Sequence, residues 1–309
     1  MPLVSRVAYF KFLTVDKLTI PAPVIHWVVS CLSIIMKRYR VLGIDFDTRA
    51  NYLKTEIKDE WDENVKASWY SNKNRIKEGL LHEFGVADGN NKIQNFIEIG
   101  SPPLSFISFH NKFLKQIRYA FVVGSYYPSL VGACSLGERI LNQLIIHLRN
   151  DFKSTTEYKK VYKKQSFDNW DVAIETLSSW KVILPKVAKD FKKLKKLRNK
   201  AIHFNPETDK NDKSHALKAI KKLQEIICDQ FGIMTKAPWY IPDIKGASFI
   251  KKDYEKKPFV REIILPNCKL VGYKHELEHN NGEWTVIDSH DYGNKSVTDN
   301  EFKNLYNSR

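Results

Sequence analysis

The sequence predicts a mainly α-helical protein with a small antiparallel β element toward its C-terminal end. Three observations predict it. Between residues 106 and 232 apolar residues recur at helical spacing over long stretches. Residues 1–105 mix one strand-like stretch with further helical pattern. After Gly232 the pattern gives way to short apolar runs, "REIIL", "KLVGY" and "WTVID", parted by Pro and Asn-Gly signals that read as a small sheet. The expected organisation is a mixed, mostly helical region over 1–105, a helical bundle over 106–232 and a β-rich region over 233–309 with a final helix.

Taken in order, "VAYFKFLTV" reads as a strand. The run from Ile20 to Met36 has about the minimum length for a membrane span, but Pro21, Pro23 and His26 argue for a buried helix instead. No signal-peptide pattern precedes it, so a cytoplasmic protein without membrane contact is expected. One helix is expected from about Asp47 through "NRIKEGLLHEF". The Gly, Asn and Pro residues of "GVADGNNKIQNFIEIGSPPLSF" then break periodic structure and mark a boundary near 85–105. "FLKQIRYAFVVGSYY" reads as a helix, and "PSLVGACSLGERILNQLIIHLRNDF" as the next or its kinked continuation. Leu130, Cys134, Leu141, Leu144, Ile145 and Leu148 form its apolar stripe, with Glu138 at the edge. "DNWDVAIETLSSW" follows, with Asp168 as N-cap and Trp170, Ile174, Leu177 and Trp180 on the buried side. The fourth helix starts at Pro185 and reaches His203, where "NPETDKND" stops it. The fifth, from about Ser214 to Phe231, places Leu217, Ile220, Leu223 and Ile227 on one face. In "TDNEFKNLY", Thr298 and Glu301 have capping-box spacing.

The chain of 309 residues is 43% apolar, enough for an ordinary core, and carries 50 Lys and Arg against 35 Asp and Glu. A formal charge of +15 favours a polyanionic partner, nucleic acid ahead of an anionic membrane surface. Four dispersed cysteines without a CxxC pair imply reduced thiols, neither a disulfide framework nor a zinc ribbon. "HELEH" matches H-E-x-x-H, but its context reads strand, Asn-Gly turn, strand. In a strand His275 and His279 stand ~13 Å apart, too far to share a metal. They are expected as exposed residues of an edge hairpin. "GIDFDT" reads as a turn with a helix N-cap, not a magnesium site. Arg75 and His82 read as a solvated helix face. No Gly-rich phosphate loop or nucleophile elbow occurs, and no metal or cofactor is expected.

One stretch carries more chemistry. In "LKKLRNKAIHF" the residues Phe191, Leu194, Leu197 and Ala201 share the core side of a helix, while Lys192, Lys193, Lys196 and Lys200 lie away from it. Asn199 and His203, four apart, lie about 40° from each other around the axis with Cβ atoms roughly 6 Å apart. Arg198 sits on the margin of the apolar stripe, so its stem can pack while its guanidinium reaches an anion. One helix end thus offers a titratable proton carrier, a planar cation matched to phosphate, and an amide to orient them. Those are the parts needed to cleave RNA without metal. The lysines are read as a guide for the RNA backbone. A second basic cluster, "EYKKVYKK", carries Tyr158 and Tyr162, read as packing between helices or stacking on bases.

"LRNKAIHF" late in a helical block, after "YYPSLVGACSLGERILNQLIIHLRNDF", resembles the HEPN domain (higher eukaryotes and prokaryotes nucleotide-binding). That family has an Arg-x4-6-His motif with a polar residue directly after the arginine, matched here by Arg198, Asn199 and His203. It often carries an acidic residue on an earlier helix, for which Glu138 stands. The resemblance covers about residues 110–232. It implies an up-and-down helical bundle that dimerises so that two motifs form one cleft. It further implies a metal-independent endoribonuclease making 2′,3′-cyclic phosphate and 5′-OH ends. Members commonly act in toxin–antitoxin and antiviral systems, with an antitoxin or sensor protein as partner. Others are non-catalytic dimers that bind RNA or a partner protein.

Overall fold

The computed structural model describes residues 36–42, 47–202, 210–280, 283–293 and 296–309. They fold as a mainly helical protein with two antiparallel strand pairs. Two compact units emerge, one drawn from Met1–Asp45 and Ile233–Arg309, the other from Phe46–Gly232. The expected strand "VAYFKFLTV", Asp45 and the run from Ile20, all but its last residue Met36, lie outside the described residues. Among the described residues no helix is long and apolar enough to cross a membrane.

In the larger unit the single helix expected from Asp47 to Phe84 is two, α1 (Arg49–Lys54) and α2 (Glu63–Phe84). Specific capping overrides the continuous pattern. The Asp62 carboxylate accepts the Asn64 N–H at 2.9 Å and starts α2, while Lys73 Nζ donates to the Leu53 and Thr55 carbonyls at 3.2 and 2.5 Å and closes α1. Asp47 accepts the Arg49 N–H at 3.0 Å from one place outside the helix, while the N-cap itself is Thr48, whose side chain makes no capping bond. The stretch expected to break structure carries a helix, α3 (Gly89–Ile99), because Phe96 and Ile99 find a core to enter. Arg75 and His82 are exposed, as expected.

Helix α4 (Ser108–Val122) ends at Gly124, whose φ of +86° stops the helix and suits glycine alone. The next helix, α5 (Tyr126–Leu148), therefore takes both tyrosines of "GSYY", with Pro128 in its first turn. Every residue of its expected stripe is buried. It is the axis of the unit: α4, α7 (Trp170–Ser179), α8 (Pro185–Ile202) and α9 (Asp212–Phe231) all pack on it. The short α6 (Thr156–Val161) leads to α7. The N-cap of α7 is Asn169, not Asp168: the Asn169 side-chain oxygen accepts the N–H groups of Asp171 and Val172, while Asp168 turns to the Asn169 N–H. An aspartate one place further out cannot reach those donors.

In the smaller unit, β1 (Arg38–Val41) pairs antiparallel with β2 (Cys268–Val271), and β3 (Glu276–Asn280) with β4 (Glu283–Ile287). "REIIL" is not a strand. Val260–Ile264 forms a π-helical turn that runs into a 3-10 turn over Leu265–Asn267, where Pro266 has no N–H to give a ladder. Helix α10 (Asp299–Asn307) starts with the expected capping box of Thr298 and Glu301. His275, expected as exposed, is buried at the entrance to β3, stacked on Tyr306 and edge-on to Phe249. The alternation of β3 says nothing of it, since His275 precedes the first paired residue.

Candidate functional site

Helix α8 runs back along α5, so that the Tyr127 hydroxyl donates to the Ala201 carbonyl at 3.4 Å and Gly137 faces Leu194. The α8 sequence sets its own orientation. Phe191, Leu194 and Ala201 are buried and Leu197 is half-buried, which turns Lys192, Lys193, Lys196 and Lys200 outward, all exposed. Lys193 Nζ reaches back 3.2 Å to Asp190, a buried carboxylate that also takes Lys222 of α9 at 3.1 Å.

Where α5, α7 and α8 meet, three side chains converge. Arg198 Nη2 lies 3.2 Å from Glu138 Oε2, and the same oxygen accepts the Trp170 indole N–H at 2.9 Å. The Arg198 guanidinium carbon stands 5.9 Å from the centroid of the Trp170 ring, within reach of a cation–π attraction. Trp170 is 1% exposed, whereas the Arg198 and Glu138 side chains keep 22% and 30% of their surface. The pair is thus anchored on a sealed indole and open to solvent on its other side.

The neighbouring structure fixes this corner. One turn after Glu138, Asn142 Nδ2 donates to the Glu138 and Phe167 carbonyls at 2.9 and 3.1 Å, and its Oδ1 accepts the Phe167 N–H at 2.6 Å. The loop before α7 is thereby stitched to α5, and Trp170 follows it. Lys195 of α8 pairs with Asp171 of α7 next to the site. One turn before Glu138, burial pushes the Cys134 thiol up to about 12 against the pull of the Arg198 charge, so it stays protonated and is no nucleophile.

Of the residues singled out in the sequence, the structure brings Arg198 and Glu138 together and leaves Asn199 exposed on the outer side of α8. His203 lies outside the described residues. The sequence marks Trp170 only as a core residue; the one signal that points to it is the glycine in mid-helix directly before Glu138, which makes room for a large neighbour. Tyr158 and Tyr162 stack on each other at 5.5 Å. Among the described residues no group of three or more His, Cys, Asp or Glu side chains stands together as a metal site.

The arrangement suits oxyanion chemistry. A guanidinium held at one edge by a carboxylate and across its face by an indole can present its remaining N–H groups to a phosphate. No protein-family model, curated protein or solved structure matches the chain.

Proposed function

We propose that the chain is a metal-independent endoribonuclease of the HEPN type that cuts single-stranded or loop RNA as a homodimer, in a toxin–antitoxin or antiviral setting. The observation that carries this reading is the half-open Arg198 guanidinium, held by Glu138 and Trp170 beside the lysine face of α8 and five residues before His203. In the proposed reaction the ribose 2′-oxygen attacks the adjacent phosphorus. The O2′–P bond forms as the P–O5′ bond breaks, leaving a 2′,3′-cyclic phosphate and a 5′-OH. His203 of one copy takes the 2′-OH proton, and the same residue of the second copy supplies one to O5′. Arg198 stabilises the charge gathering on the pentavalent phosphorus, and Asn199 orients the pair. Lys192, Lys193, Lys196 and Lys200 guide the backbone.

The test is incubation of the pure protein with total RNA in EDTA. Discrete fragments with cyclic-phosphate ends are expected, and His203→Ala should abolish them while fold and dimer persist. Cleavage that survives His203→Ala, or that EDTA removes, overturns the mechanism. One observation favours a second reading, a non-catalytic dimer that binds RNA or a partner protein: Arg198 is already ion-paired within its own chain. That reading expects RNA to be retained intact.

A further inference from the structure

We infer that Trp170 is a positioning residue of this site, acting on Arg198 through the Glu138 carboxylate; the inference rests on the nuclease reading above. Three observations point to it independently of any motif. The first is that two donors share one oxygen. Glu138 Oε2 takes the indole N–H at 2.9 Å and stands 3.2 Å from Arg198 Nη2. The indole therefore fixes where that oxygen sits, and the oxygen fixes one edge of the guanidinium.

The second observation is Gly137. A Cβ there would lie 2.7 Å from Leu194 Cδ2 and 3.0 Å from Trp170 Cη2. Glycine in a helix interior is unfavourable relative to alanine, yet α5 keeps one where the indole and α8 come against its backbone. The third is the pinning of the tryptophan itself. Asn169 caps α7 immediately before Trp170, Asn142 ties the preceding loop to α5, and the ring meets Phe191 edge-on at 6.2 Å. A residue wanted for apolar filling alone needs no N–H, and a buried indole N–H without a partner is costly. Here the partner is the acid that holds the arginine. Arginine on its own must lose the freedom of a long side chain to grip a phosphate. With carboxylate and indole in place that freedom is already restricted before RNA arrives.

The experiment is a cycle of Trp170→Phe, Glu138→Gln and the double variant, read by single-turnover cleavage and by binding of an uncleavable 2′-deoxy analogue, with His203→Ala alongside. Trp170→Phe removes the donor and keeps an aromatic ring, but also loses the Cη2 atom that faces Gly137, and the double variant separates the two effects. The single substitution should slow cleavage about 10- to 100-fold while analogue affinity stays within about twofold. The double variant should cleave no slower than Glu138→Gln alone, a non-additivity that mere loss of packing does not produce. Glu138→Gln, which leaves the indole in place, should bind the analogue at least as tightly as the parent. Parent-like cleavage by Trp170→Phe, or full additivity, overturns the positioning role and leaves the nuclease reading standing. Parent-like cleavage by His203→Ala instead overturns the nuclease reading.

Discussion

Two arginine clusters, one in each unit, use similar side chains to opposite ends. Arg198 meets a carboxylate, rests against an indole and stays partly open to water. Arg40, in β1, is buried and its guanidinium contacts Nε2 of His275, an uncharged acceptor. The His275 Nδ1–H donates to the Gly272 carbonyl at 2.6 Å, which fixes the neutral tautomer. Tyr306 stacks on that imidazole, and Arg309 lies 3.8 Å over the tyrosine ring. The difference is solvation. An open ion pair contributes little to stability, on the order of 0–1 kcal/mol, and can exchange a partner for a substrate. A sealed cation against a neutral ring can only hold the fold.

The largest effect that tests this contrast comes from truncating each arginine in turn. Arg198→Ala should abolish RNA cleavage and move the unfolding midpoint little, by about 1 kcal/mol or less, because both partners face water. Arg40→Ala should do the reverse to stability. It strands a buried acceptor on His275 and removes the packed stem, costing about 1–3 kcal/mol by denaturant titration. Equal stability losses for the two variants would erase the distinction.

The next effect is in pH. Burial, aided by the charges of Arg40 and Arg309, pushes the His275 imidazole down to about 4. Its folded pKa is below the unfolded value of about 6.5, so the unfolded chain binds more protons between the two. Stability is therefore full above that upper limit, falls as pH drops toward 4 and levels off below it, with at most about 3 kcal/mol from this group. His110, pushed down to about 3 by burial, gives the larger unit a loss of the same sign. His275→Gln keeps an acceptor for Arg40 and removes the titration. The difference between variant and parent in urea midpoint should shrink that acid limb, and an unchanged limb would place the titration elsewhere.

Packing behind the open site gives the third effect. Gly137→Ala drives a methyl against Leu194 and Trp170, which should cost about 1–3 kcal/mol and slow cleavage by shifting the indole. A parent-like melting curve with parent-like cleavage would show that the corner has slack.

How far all this could be read in advance depends on the range of the interaction. Pro185, the Thr298–Glu301 box and the apolar stripes of α5 and α8 act within a few turns, and the structure places them where the pattern does. Helix α3 was hidden because its Gly and Asn residues look like a loop until Phe96 and Ile99 have a core to enter. Strand β1 pairs with β2 across more than two hundred residues, beyond any local pattern. At the site, Arg198 is legible as part of the motif, and Glu138 only through the family resemblance. Trp170 joins them only because α7 folds back against both α5 and α8, and its spacing from either carries no signal. The burial of His275 was missed for the same reason: Phe249 and Tyr306 cover it from distant parts of the chain.

The smallest effect lies on the outer face of α8. If its lysines track an RNA backbone, each replacement by glutamine removes one phosphate contact. The slope of log affinity against log salt should then fall by about 0.7 per lysine for a single strand. Lys192 and Lys196 are exposed, so each should show that full change, with the cleavage rate at saturating RNA unaltered. Lys193 stands 3.2 Å from the buried Asp190 carboxylate, which already offsets part of its charge. Lys193→Gln should therefore change the slope less than Lys192→Gln does, although the two residues are adjacent. Equal slopes for both would mean that Asp190 is satisfied by Lys222 alone and that the face binds RNA by net charge, without regard to which lysine supplies it.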